Sequence, residues 1–394
     1  MMNQQPGVCT VCHTPGATVF VEVPHVPVIC NVLWPTRERA LAAPRVDIRL
    51  AFCPRCGHIF NPDFDPTLME YSEEYENSLH FSPHFQQYIT GLAADLVERH
   101  GLRHKQLIDI GGGKGDFLKL LCELGDNRGV SIDPSYAPAP GTEEADGRVT
   151  FIQDYYSEQY AHLPADFISS RHTLEHIAAP HDFVSMLRRT IGDRSRCAVF
   201  CEVPNALFTL QDLAIWDIIY EHCSYFTAHS LAYLFTVCDF QVHNVRTTFA
   251  GQFLCIEATP AATTQMYHKD EEVAALAQDV AHFARRYEEK IAQEREKLAG
   301  WRQAGQKVVV WGAGSKGITF LNTLGSAGQI EYAVDINPRK QGMYITGAGQ
   351  SIKSPSFLQT YAPDVVLVMN PVYLAEVEQT LGAMGVKAKV VPAL

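Results

Sequence analysis

No run of about eighteen apolar residues occurs in this 394-residue chain, so no membrane-spanning helix is expected. Its first residues, Met1-Met2-Asn3-Gln4-Gln5-Pro6, contain neither a basic stretch nor an apolar one. No secretory signal is expected, and the chain is read as cytoplasmic. Clusters of Lys and Arg are missing as well. With a formal charge of −12 and no basic run, the chain is not expected to grip nucleic acid, which needs cations in place of counterions along the phosphates. Charged residues are only 19% of the chain against 46% hydrophobic, a balance that favours packed domains over disorder. Without an oxidising compartment, the eleven cysteines read as thiols and metal ligands rather than disulfides. The length suits two or three domains.

Residues 1–60 are rich in Cys and Pro, with short β-like runs at 17–23 and 46–52. Residues 70–100 read as helical, ending near Gly101. Strands are then expected at 106–110, 129–132, 149–152, 166–169 and 197–203, with helices at 115–124 and 180–191. Such alternation implies a parallel sheet with helices on both faces. Val273, Leu276, Val280, Phe283, Tyr287, Ile291, Leu298 and Trp301 recur at three- and four-residue steps, interrupted by polar Glu294. That periodicity predicts one helix over 270–303, packed along a neighbouring domain. After Gly305 a second α/β unit begins, with strands at 307–311, 330–334, 365–369 and 388–391 and a helix at 318–324. The expected domains are 1–68, 69–265, a linker helix at 266–304, and 305–394.

Cys9-Thr-Val-Cys12 and Cys53-Pro-Arg-Cys56 are two C-x2-C knuckles. Each supplies two thiolates from one tight turn, and four thiolates close a tetrahedral zinc site. His13 and His58 flank the knuckles and read as surface residues. Cys122, Cys197 and Cys238 fall in apolar runs and read as core.

The segment Asp109-Ile110-Gly111-Gly112-Gly113-Lys114-Gly115 runs from a strand through a glycine turn into a helix. Glycines let the backbone approach a ligand closely. The turn alone suits a dinucleotide or S-adenosylmethionine. Asp109 precedes the glycines, where it could hold an amino group. Asp133 ends the next strand, where it could take ribose hydroxyls, and Asp154 follows the third, near an adenine. The segment Ser170-Arg-His172-Thr-Leu-Glu175-His176 follows the fourth strand, and Glu202-Val-Pro-Asn205 ends the fifth. His172 is assigned to the donor site, and Glu202 and Asn205 to the substrate. This pattern is similar to that of class I methyltransferases and favours S-adenosylmethionine over NAD.

The whole order resembles the sugar C-methyltransferases of deoxysugar biosynthesis. The resemblance rests on the four cysteines, the glycine turn, Tyr220-Glu221-His222-Cys223-Ser224-Tyr225-Phe226, and the segment from Val334-Asp335 to Gly342. It implies an N-terminal zinc-binding domain, a central class I methyltransferase Rossmann-like parallel sheet, and a C-terminal Rossmann-like α/β domain that helps hold a nucleotide. It further implies that Tyr220, Glu221 and His222 lie beside the transferred methyl group, joined by Tyr75, with Tyr71 as the alternative. In the family that motif commonly reads Tyr-His-Glu-His, one residue longer than here.

Methylating carbon requires loss of a proton beside a carbonyl, a base to take it, and a donor to steady the enolate. His222 is the expected base, with His176 the rival. Glu221 is expected to orient it, and Tyr220 or Tyr75 to donate to the oxyanion. The turn Gly312-Ala-Gly314-Ser-Lys316-Gly317 could cradle a diphosphate, with Gly312, Gly314 and Lys316 touching it. The same turn also reads as an NAD site or as a purely structural one. The expected partner is a small molecule, possibly a nucleotide sugar. Three other readings stay open at this point: O- or N-methylation of another metabolite, nicotinamide-dependent oxidation, and a noncatalytic zinc-containing binding protein.

Overall fold

A computed structural model describes residues 7–69, 75–76, 78–136, 147–263, 265–325 and 329–393. Tyr71 lies outside them. The described residues form three sheets.

The central sheet has seven strands in the order Phe240–Thr248, Phe253–Pro260, Ala198–Pro204, Phe167–Arg171, Gln106–Ile110, Arg128–Ile132 and Val149–Ile152. The last five are parallel; Phe253–Pro260 runs antiparallel to Ala198–Pro204 and to Phe240–Thr248. Parallel strands are covered on both faces, and Ala198–Pro204 is correspondingly buried from Ala198 to Val203. Chain order reverses between Gln106–Ile110 and Phe167–Arg171, so a crevice opens beyond their carboxyl ends. The class I methyltransferase fold expected from the sequence is present.

The C-terminal sheet is parallel throughout, in the order Ser351–Lys353, Ile330–Val334, Val308–Trp311, Val365–Val368 and Lys389–Pro392. Its own reversal lies between Val308–Trp311 and Val365–Val368. The strand Ser351–Lys353 was not foreseen, being too short to show a pattern. The N-terminal sheet is antiparallel, pairing Gly7–Val8, Pro15–Pro27, Arg45–Phe52, Ile59–Phe60 and Ser224–Tyr225. Its last strand comes from the middle of the chain, which locks the Tyr220–Phe226 region onto the N-terminal part.

The helix Asp270–Gln303 spans 34 residues and buries Val273, Leu276, Val280, Phe283, Tyr287, Ile291 and Leu298. These side chains share one core with the N-terminal strands and with Ile318, Phe320 and Leu321 of the C-terminal helix Ser315–Leu324. Glu294 sits in that seam at low cost because Lys290 and Lys297 reach it at 3.2 and 3.3 Å.

The helix expected over 70–100 is shorter than expected. It runs Pro83–Arg99, capped by the Ser82 hydroxyl, which accepts from Phe85 N, with proline at its first position. Tyr75 instead bridges Val32 in extended form. His58 is not a surface residue. It is fully buried, its ring stacked on Phe60 and tilted against Phe226, and burial lowers its pKa to about 3. Cys122, Cys197 and Cys238 are buried as expected.

Phe283 is fully buried and meets Phe20 edge-on at 6.2 Å. Phe283→Ala is expected to cost about 3–5 kcal/mol, read as a lower urea midpoint for the whole chain.

Candidate active site

At the donor turn, Gly111 has φ +71°, and a Cβ there would strike the Thr173 side chain. Gly113 has φ +55°, and a Cβ there would meet nothing within 4 Å, so its face is open to a ligand. Asp133 fixes the turn: Oδ2 accepts from Gly113 N at 2.7 Å, and Oδ1 accepts from Ser135 N at 2.7 Å. Phe151 lies against Gly115 and stacks on Tyr136, centroids 4.2 Å apart and nearly parallel. An open glycine face, a strand-end carboxylate and an aromatic wall together suit a nucleoside.

Asp109 is buried beneath the turn and accepts from Ser169 Oγ at 2.6 Å. Burial pushes its carboxyl up to about 6, against the pull of Ser169 and Arg171. Asp154 is drawn toward its own loop, accepting from Tyr160, Gln159 and the Tyr155 amide.

A cavity of about 290 Å³ lies between the central and C-terminal domains. Its central wall carries His172, Glu175, His176, Asn205 and His222; Tyr75 and Asn31 close one side. The opposite wall carries Gly312, Gly314, Lys316, Asp335, Lys340 and Asn370. The segments that follow Phe167–Arg171 and Ala198–Pro204 therefore share one space with the reversal point of the C-terminal sheet.

The His222 imidazole is held well below its ordinary pKa by burial, with His176, His172 and Lys316 pushing the same way. A lowered value favours the neutral form that a base requires. Its ring meets that of His176 edge-on at 4.9 Å. Ligand atoms of Glu175, His176 and His222 lie within 4.8 Å of one another. Glu175 is buried, and neither oxygen has a hydrogen-bond partner among the described residues. The sequence drew attention to His176 but gave Glu175 no task.

Glu221 is fully buried and is absent from the cavity lining. Its Oε2 accepts from Cys30 N at 2.8 Å. Burial pushes the carboxyl up, against His176, the Cys30 amide and the Tyr75 hydroxyl. Its link to the site thus runs through Tyr75. Tyr220 lies outside the cavity: its hydroxyl accepts from Asp65 N at 2.8 Å, so it anchors the N-terminal part instead of touching substrate. Glu202 is likewise corrected. It is fully buried and saturated by Arg171 at 2.6 Å, by His172 at 3.0 Å and by the Tyr88 hydroxyl, which removes it from the cavity. Asn205 lines the cavity but also caps the helix Ala206–Gln211 by accepting from Leu207 N.

The C-terminal turn repeats the donor-turn device. Asp335 Oδ2 accepts from Ala313 N at 2.8 Å and Oδ1 from Asn337 N at 2.8 Å, as Asp133 does with Gly113 and Ser135. Lys316 is paired with Asp217, and Lys340, unassigned by sequence, donates to Ala313 O at 3.1 Å.

In the N-terminal part the four knuckle thiols converge. Cys9 and Cys56 sulfurs are 3.6 Å apart, and Cys12 and Cys53 sulfurs 3.5 Å. Zinc–sulfur bonds of about 2.3 Å in a tetrahedron put sulfurs about 3.8 Å apart. The geometry suits zinc.

Burial lowers the His172 pKa, but the Glu175 and Glu202 carboxylates outweigh it and raise it to about 9. A raised folded value means this group stabilises fully below its ordinary pKa and loses the contribution as pH rises through about 9. The urea-stability gap between the wild type and His172→Gln is therefore expected to shrink between about pH 6 and about pH 10.

A methyltransferase domain model matches residues 85–245, and a C-methyltransferase C-terminal domain model matches residues 254–391. The C-methyltransferase NovU of Streptomyces niveus is 28% identical over 308 residues, 74% of this chain and 72% of its own. Among solved structures, the 1,6-didemethyltoxoflavin-N1-methyltransferase of Burkholderia thailandensis, with bound S-adenosylhomocysteine, has a TM-score of 0.36 at 17% identity, covering 52% of this chain and 96% of its own. The magnesium protoporphyrin IX methyltransferase of Synechocystis PCC 6803, also with bound S-adenosylhomocysteine, has a TM-score of 0.35 at 16% identity, covering 45% and 84%. A methyltransferase domain and a C-methyltransferase C-terminal domain thus follow one another along the chain, and the enzyme class read from the sequence, an S-adenosylmethionine-dependent methyltransferase, is borne out.

Proposed function

We propose that the chain methylates a carbon next to a carbonyl in a nucleotide-linked keto-sugar or a similarly activated small metabolite. The carrying observation is one cavity with His172, His176 and His222 of the central domain on one wall and the second glycine turn on the other. The relationship to a C-methyltransferase supports carbon as the site of attack.

S-adenosylmethionine supplies an electrophilic methyl group on a good leaving group. The donor would be held by the turn Gly111, Gly113 and Gly115, by Asp133 at the ribose, and by Asp109 and His172, with Asp154 reaching it only by giving up its own loop. The chain's further task is to place the acceptor carbon in line and to make it nucleophilic. His222 takes the proton beside the carbonyl. Tyr75, which lines the cavity, turns its hydroxyl proton from Glu221 to the developing enolate oxygen when substrate is bound. Glu175 carries a buried carboxylate beside His176 and His222, 3.6 Å from His172 Nδ1, and favours the imidazolium formed when the proton arrives. Gly312, Gly314 and Lys316, with Lys340, hold the phosphates, and Asn205 contacts the sugar. Zinc, held by Cys9, Cys12, Cys53 and Cys56, secures the turns of the N-terminal part.

His222→Ala is expected to lower turnover about 10²–10⁴-fold while donor affinity is kept. Solvent deuterium should enter the acceptor carbon with the wild type and not with the variant. Full activity in the variant removes His222 from the chemistry, and methylation without wash-in points to an oxygen or nitrogen acceptor. About one zinc per chain is expected by elemental analysis, and Cys56→Ser should lose it together with stability. A metal-free chain as stable as the loaded one overturns the zinc assignment.

A further inference from the structure

Glu76 is buried and sits where all three parts of the molecule meet. Its backbone N donates to Asn31 O at 2.8 Å in the N-terminal part. Its Oε2 accepts from Lys114 Nζ at 2.7 Å, and Lys114 stands between Gly113 and Gly115 in the donor turn. The same oxygen accepts from Arg339 Nη1 at 3.0 Å. Oε1 accepts from Asn337 Nδ2 at 3.1 Å and from Ser78 N at 3.1 Å. Asn337 in turn donates its amide to Asp335, whose other oxygen holds the C-terminal glycine turn through Ala313 N. An unbroken polar path therefore joins the two glycine turns through one carboxylate. Burial alone would push that carboxyl up; Lys114, Ser78 and Arg339 prevail and hold it well below the usual carboxylate range.

Two cations that share one carboxylate oxygen are coupled, because moving either changes how closely the carboxylate can hold the other. The ammonium of Lys114 and the guanidinium of Arg339 thus depend on each other through Glu76, although they belong to different parts of the chain. Tyr75, immediately before Glu76, lines the cavity. Anything that reorders the donor turn is felt at Tyr75 and at the C-terminal turn, and the reverse holds by linkage.

We propose that Glu76 is a positioning residue that couples the donor turn to the C-terminal domain, so that the arrangement of one sets the affinity of the other. This rests on the reading of the glycine turn around Gly113 as the donor site. The test is a double-mutant cycle on the full chain, with S-adenosylmethionine as the only titrant in calorimetry. Arg339→Met alters a side chain of the C-terminal domain that is about half exposed, so the fold is expected to survive. Arg339→Met and Glu76→Gln should each weaken donor binding about fivefold, and the double variant no more than Glu76→Gln alone. An unchanged donor affinity in Arg339→Met overturns the proposal. So does a double variant whose loss is the product of the two single losses. A wild-type chain that does not bind S-adenosylmethionine fails the donor-turn reading itself, a result distinct from either.

Discussion

The burial of one helix makes the site possible. Asp270–Gln303 leaves the central domain, crosses the N-terminal sheet and delivers the chain to the C-terminal sheet, burying an apolar stripe along the way. A helix this long is stable because tertiary packing holds its apolar face, far more than because of its own propensity. Once docked, it leaves the second parallel sheet little freedom about where its carboxyl ends point. They point at those of the first. Two crevices that would each be shallow in isolation then share one cavity.

Polar contacts between the parts refine that arrangement. Gln252 and Asn370 exchange a reciprocal pair of amide hydrogen bonds at 2.8 and 2.9 Å across the cavity rim. Glu376 of the C-terminal part accepts from the Ser82 hydroxyl at 2.6 Å, beside the start of Pro83–Arg99. Trp216, fully buried, donates to Ala393 O at 2.6 Å and ties down the end of the last strand region. Each is modest in net free energy, about 1 kcal/mol, yet each is costly to leave unmade once buried. They fix geometry more than they add stability, which suits a site that must hold two reactants in line.

The two glycine turns show one solution used twice. A carboxylate at the end of the second strand of each unit accepts an amide of the turn and another two residues after itself. The sequences around Asp133 and Asp335 differ, and the sequence alone did not mark them as a repeat. Their likeness is one of hydrogen bonding. In the donor turn the arrangement leaves the face of Gly113 open, and in the C-terminal turn it brings Lys340 against Ala313 O.

What the sequence determined by itself was local. The cysteine knuckles, the glycine turns, the alternation of strands and helices and the long amphipathic helix depend on spacings of a few residues, and periodicity reads such spacings directly. The motif around His222 also drew attention to a residue that lines the cavity. The tertiary structure decided where single polar side chains spend their hydrogen bonds. Tyr220 turned out to serve Asp65, Glu202 to serve Arg171 and His172, and His58 to pack between Phe60 and Phe226. Glu76 gathers Lys114, Asn337 and Arg339 from positions up to 263 residues away. No pattern along the chain announces such partners, because a carboxylate looks the same in sequence whether folding leaves it in water or closes it between two cations.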